Sequence, residues 1–110
     1  FWTTGVALFK YGQNKEKAAE YIKAGRANQM RVVPAGPAFA ASVAKRPDVN
    51  LYAPDKRHPS LAGTYLGAAV VMASLFKKSP VGNTYTAGLP ADVAAHLQTV
   101  AWETVQSFKP

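Results

Sequence analysis

The sequence predicts an α/β fold, and three observations carry that expectation. Two short runs rich in β-forming residues, Thr3–Phe9 and Arg31–Pro34, are each followed by a stretch of helical character. The second half holds two longer helix-forming stretches, separated by a loop rich in Gly, Pro and Thr. Two strand–helix units in about fifty residues point to a parallel sheet covered by helices.

Each element has a local reason. Thr3–Phe9 is a compact apolar run with the content of a buried strand. Asn14–Met30 follows as a helix: Asn14 can cap it, Glu16 sits early, and Ala18, Ala19, Ile22 and Ala27 give a partial apolar stripe. Arg31-Val32-Val33-Pro34 is a second strand ended by proline. Pro37–Lys45 is a short helix with Pro37 near its first position, broken by Arg46-Pro47-Asp48. Val49–Tyr52 is a brief extended piece.

Ser60 is a good N-cap for Leu61–Lys78, which is apolar on nearly every face through Leu61, Tyr65, Leu66, Val70, Val71, Met72, Leu75 and Phe76. The segment is shorter than the roughly 20 residues of a membrane span and carries Gly63, Thr64, Gly67 and Ser74, so it reads as core with no transmembrane segment. Ser79–Pro90 is a loop. Pro90–Phe108 is a final amphipathic helix that buries Val93, Leu97, Val100, Ala101, Val105 and Phe108. Tyr65 and Trp102 belong to the core or a pocket wall.

The chain has 110 residues, 48% of them hydrophobic and 17% charged, which makes it one domain at most and not a disordered segment. It has no cysteine, which excludes disulfides, thiolate metal sites and a cysteine nucleophile. Its opening, Phe1-Trp2-Thr3-Thr4, lacks Met and a charged leader region. The expectation is therefore a piece of a larger protein, with any secretory leader on the preceding part and localisation left open. The net charge of +7 is spread over pairs such as Lys45-Arg46, Lys56-Arg57 and Lys77-Lys78. That spacing suits a solvated basic surface and no nucleic-acid partner.

The chemistry concentrates in Asp55-Lys56-Arg57-His58-Pro59-Ser60. A carboxylate three residues before an imidazole can accept its N–H, fix its tautomer and stabilise the imidazolium, leaving the other ring nitrogen to take a proton from a nucleophile. Asp55 and His58 are thus candidate orienter and general base. The same pair also fits a plain turn, with Asp55 bonding backbone N–H groups. The second histidine, His96, lies four residues after Asp92 on one helix face. Asp55, His58, Asp92 and His96 together could form a metal site, although no His-Glu-x-x-His spacing or third histidine supports one. A non-catalytic basic binding module is a further alternative.

From Asp55 to Leu66 the chain reads Asp-x-x-His-Pro-Ser-x-Ala-Gly-Thr-Tyr-Leu, which resembles the last conserved block of the SGNH, or GDSL-like, hydrolases. Val32–Phe39, Leu51–Asp55 and Ser79–Gly82 are similar to flanking segments of the same family. The resemblance implies that residues 1–110 are the C-terminal portion of a single SGNH hydrolase domain, a flavodoxin-like three-layer α/β/α sandwich. It implies an acyl or acetyl esterase acting on small-molecule, carbohydrate or lipid esters, without a cofactor. His58 would be its base and Asp55 the orienter. The family's serine motif, Gly-Asp-Ser, is missing, and neither Ser42, Ser60, Ser74, Ser79 nor Ser107 sits in a nucleophile turn. The nucleophile and oxyanion groups are therefore expected from a missing N-terminal part of the same fold, and the 110 residues alone are expected to be inactive.

Overall fold

The computed structural model describes residues 15–27, 32–55 and 58–108. Four helices run in order through it: α1 (Lys15–Ala27), α2 (Ala35–Lys45), α3 (Leu61–Phe76) and α4 (Ala91–Ser107). All four lie where the helical patterns were expected, with ends shifted by a few residues. The architecture does not follow the α/β expectation. Among the described residues no strand forms, and the only pairing is one antiparallel bridge between Tyr52 and Pro59. The core is helix on helix, so a flavodoxin-like α/β/α sandwich is not the fold of these residues.

The correction has a physical cause at each expected strand. Residues 32–34 have no laddered neighbour among the described residues, and the chain turns at Pro34, where Ala35 N–H donates to the Val33 carbonyl at 2.9 Å. Pro34 has no N–H to offer a ladder, and α2 starts directly after it. Val33 is buried all the same, as part of the helical core. Val49–Tyr52 contributes only the bridge at Tyr52, and its Val49 and Leu51 also enter that core. Thr3–Phe9 lies outside the described residues, as do the side chains of Ala18 and Ala19. In α1, Ile22 is half-buried and Ala27 exposed.

The helix α2 begins earlier than expected. Pro34 occupies its N-cap without a side-chain bond, and the Pro34 carbonyl accepts the Ala38 N–H at 3.2 Å. Pro37 then falls in the first turn, where a missing N–H leaves nothing unsatisfied. The other end closes when Arg46 N–H donates to the Ser42 carbonyl at 2.7 Å, with Pro47 next in line.

In α3 the cap is as expected: Ser60 Oγ accepts the Gly63 N–H at 3.1 Å. The helix buries one face only, Ala62, Gly63, Leu66, Ala69, Val70 and Ala73. Small residues dominate that face, so neighbouring backbones approach closely. Tyr65, Val71 and Leu75 are partly buried against the core beside that face, while Leu61 and Phe76 are exposed at the two ends. The expectation that this segment is core and not a membrane span agrees with that placement. No helix among the described residues is long and apolar enough to cross a membrane.

The last helix, α4, presents Ala94, Leu97, Gln98, Val100 and Ala101 to the interior, while Val93 and Val105 pack at its margin. Its contact with α3 is the broadest between helices, and α2 packs against both. Burying a leucine or valine side chain contributes roughly 1.5–3 kcal/mol. The fully buried Leu51, Leu66, Val70, Leu97 and Val100 therefore outweigh any single polar contact described below.

Leu66→Ala is expected to destabilise the protein by about 2–5 kcal/mol, since Leu66 is wholly buried between helices. Phe76→Ser, at the exposed C-terminal end of α3, is expected to change stability by less than about 0.5 kcal/mol. Urea denaturation of the two variants checks both. Similar losses in the two would contradict the assignment of buried and exposed positions.

Candidate active site

Asp55 and His58 face each other across a short loop between Leu51 and α3. The loop is closed by two backbone bonds: Ala53 N–H donates to the His58 carbonyl and Ser60 N–H to the Leu51 carbonyl, each at 2.8 Å. These flank the Tyr52–Pro59 bridge. Outside the loop, the Tyr52 ring packs edge-on against Phe39 of α2, with centroids 5.8 Å apart. Asn50 adds a turn of its own, its Oδ1 accepting the Tyr52 N–H at 3.0 Å.

The Asp55 carboxylate grips His58 twice. Oδ1 accepts the His58 backbone N–H at 3.0 Å, and Oδ2 accepts Nδ1–H of the ring at 2.6 Å. A carboxylate has only acceptors to offer, so the pairing places the ring proton on Nδ1 and leaves Nε2 with a free lone pair. The His58 side chain is 78% exposed and that of Asp55 47%. The imidazole is therefore open to any group that approaches from solvent. Asp55 thus bonds a backbone N–H as a turn residue does and contacts the ring as well.

The serines are placed elsewhere. Ser60 is two residues from His58, yet its Oγ accepts from Gly63 N–H and donates to the Asn50 carbonyl at 2.8 Å. Ser79 Oγ accepts the Val81 N–H, and Ser107 bonds the carbonyls of Glu103 and Thr104. Ser74 lies four turns along α3, about 20 Å from Ser60 at 1.5 Å per residue. Ser42 is fully buried in α2.

Asp92 and His96 do share a face of α4, but that face looks onto α2 and not toward the loop. Ser42 Oγ and His96 Nε2 are hydrogen-bonded at 2.8 Å. Arg46 pairs bidentately with Asp48, at 2.7 Å and 3.3 Å, and reaches Asp92 at 3.4 Å. Lys45 meets Glu103 at 2.6 Å. Among the described residues no three His, Cys, Asp or Glu side chains converge as a metal site would require. The four-residue site of Asp55, His58, Asp92 and His96 is therefore not assembled: one half is the loop dyad, the other a seam between helices.

The Ser42–His96 pair was not anticipated from the sequence. It has the atoms of a serine nucleophile and its base, but Ser42 has no exposed surface for a substrate to meet. Burial lowers the His96 pKa, the positive charges of Arg46 and Lys45 lower it further, and Asp48 opposes them. Gln98 was also missed. Buried on α4, it accepts from Gly82 N–H at 3.0 Å and donates to the Asn83 carbonyl at 3.0 Å and to Tyr65 Oη at 2.9 Å. Tyr65 in turn donates to the Tyr85 carbonyl at 2.6 Å. This network fixes the 79–90 loop against α3 and α4. The available signal was a lone amide on an otherwise apolar stripe, opposite a loop of unpaired backbone groups.

No family model, curated protein or solved structure matches the chain.

The depressed His96 pKa makes stability depend on pH. An unfolded histidine takes up its proton near pH 6.5, and the folded one only at lower pH. The stabilisation is thus complete above about pH 6.5 and is lost as pH falls through the lowered folded value. Urea midpoints measured from pH 8 down to pH 5 are expected to fall in the wild type and to fall less in His96→Gln. Parallel profiles for the two proteins would remove His96 as the source.

Proposed function

We propose that Asp55 and His58 are the orienting carboxylate and general base of a serine-type ester hydrolase. The observation that supports this most strongly is the double grip of Asp55 on His58, with Nε2 left open to solvent. The resemblance of Asp55–Leu66 to the last block of SGNH hydrolases supports the same roles independently. In such a reaction Nε2 takes the proton of the attacking serine hydroxyl and later returns it to the departing alcohol, while Asp55 stabilises the imidazolium in between.

The attacking serine is supplied from outside residues 1–110: Ser42 is fully buried, Ser60, Ser79 and Ser107 hold other partners, and Ser74 lies about 20 Å along α3 from Ser60. The substrate class is a small-molecule, carbohydrate or lipid ester. The base lies at the surface of these residues, so the walls that select the acyl group and the alcohol come from the part that brings the nucleophile.

Hydrolysis of p-nitrophenyl acetate by the full-length protein is the test. His58→Ala is expected to lower kcat by roughly 10²–10⁴-fold, with no effect of a chelator. Asp55→Asn should also lower kcat, because it can no longer hold the Nδ1–H tautomer. The 110-residue chain alone should show no serine-dependent turnover. Wild-type rates in His58→Ala would reduce the dyad to a turn, and activity lost only with chelator would assign the chemistry to a metal.

A further inference from the structure

We infer that Ser60 and Gly63 are positioning residues for the Asp55–His58 pair, an inference that rests on the base assignment proposed above. Neither touches the imidazole. Both act through the Leu51 and Asn50 carbonyls, where the loop is joined to the first turn of α3.

Ser60 makes four hydrogen bonds at that junction through its N–H, carbonyl and hydroxyl. Its N–H donates to the Leu51 carbonyl at 2.8 Å and its carbonyl accepts the Thr64 N–H at 2.8 Å. Its hydroxyl donates to the Asn50 carbonyl and accepts the Gly63 N–H. One side chain therefore ties the segment before the dyad to the helix after it. A hydroxyl directed at a carbonyl is spent as a donor, which explains why a serine two residues from the base is not its nucleophile.

Gly63 makes the junction possible. A Cβ at this position would lie 2.1 Å from the Leu51 oxygen and 3.1 Å from Pro59 Cβ. That oxygen is the acceptor for Ser60 N–H, one of the two backbone bonds closing the loop. Backbone cannot swing aside as the end of a long side chain can. Any side chain at residue 63 must push Leu51 away from α3 and stretch the closing bond. The displacement passes into the loop that carries Asp55 and His58. A misplacement of about 1 Å at a reacting group can cost about 10²-fold in rate.

The histidine tautomer reports the position of the pair without any turnover. Free neutral imidazole favours the proton on Nε2, whereas the Asp55 grip holds it on Nδ1. Nitrogen-15 NMR of the neutral His58 ring in the full-length protein should show Nδ1–H in the wild type and in Ser60→Thr, which keeps the hydroxyl. Gly63→Ala and Ser60→Ala should shift the ring toward Nε2–H, as Asp55→Asn does. In the same proteins kcat for p-nitrophenyl acetate should fall about 10²-fold, with KM nearly unchanged, and Ser60→Thr should restore it. If Gly63→Ala does not fold, Ser60→Ala, which removes one hydroxyl, carries the test alone.

Wild-type tautomer in both Ser60→Ala and Gly63→Ala would overturn the inference, whatever happens to the rate. A shifted tautomer in a protein whose activity ignores His58→Ala would uphold the positioning role and overturn the base assignment instead.

Discussion

The Leu51 carbonyl is the point on which the local structure turns. It accepts the Ser60 N–H, and it lies against α3 where no Cβ fits. That one contact decides several things together. It sets where α3 begins and how closely the 49–52 segment lies on its first turn. It lets Leu51 itself reach the core beside Leu66 and Val70, which are fully buried. The loop between Tyr52 and Pro59 then has both ends fixed, and a carboxylate and imidazole three residues apart can meet without help from a distant element. Few small sites are this local in sequence.

The helices were legible because their signals are local. Ser60 before an apolar run, proline just before or after a helix, and 3.6-residue spacing all act within one or two turns. The strand expected at Arg31–Pro34 was misread for the complementary reason. A run such as Arg31–Pro34 has β content, but a strand exists only with a partner, and partnership is a property of the whole chain. Val33 satisfies its hydrophobic demand against helices instead. The same distinction separates the two polar sites. Asp55 and His58 are three residues apart and could be read directly. Ser42 and His96 are joined only because α2 lies on α4, and nothing near either residue announces the other.

The two histidines illustrate how environment, not residue type, allots a role. His58 is well exposed and held by a carboxylate, so its free nitrogen remains usable. His96 is partly buried, beside two cations, with its Nε2 taken by a hydroxyl, and its pKa is lowered. The first arrangement leaves a proton acceptor open to solvent. The second makes the imidazole part of the packing between two helices.

The seam between α2 and α4 also gives the molecule an order of disassembly. The α3–α4 face is mainly hydrocarbon, anchored by Leu66, Val70, Leu97 and Val100, and carries no ion pair among the described residues for salt to screen. Across the other face, Lys45–Glu103 and Arg46–Asp92 are exposed ion pairs of the kind that contributes at most about 1 kcal/mol and is screened by ions. Acid and salt therefore act on the same side of the bundle. The amides of α2 are expected to lose protection before those of α3 and α4 under either stress. Because Phe39 of α2 is what Tyr52 leans on, the loop beside α3 loses its backing in that same first step.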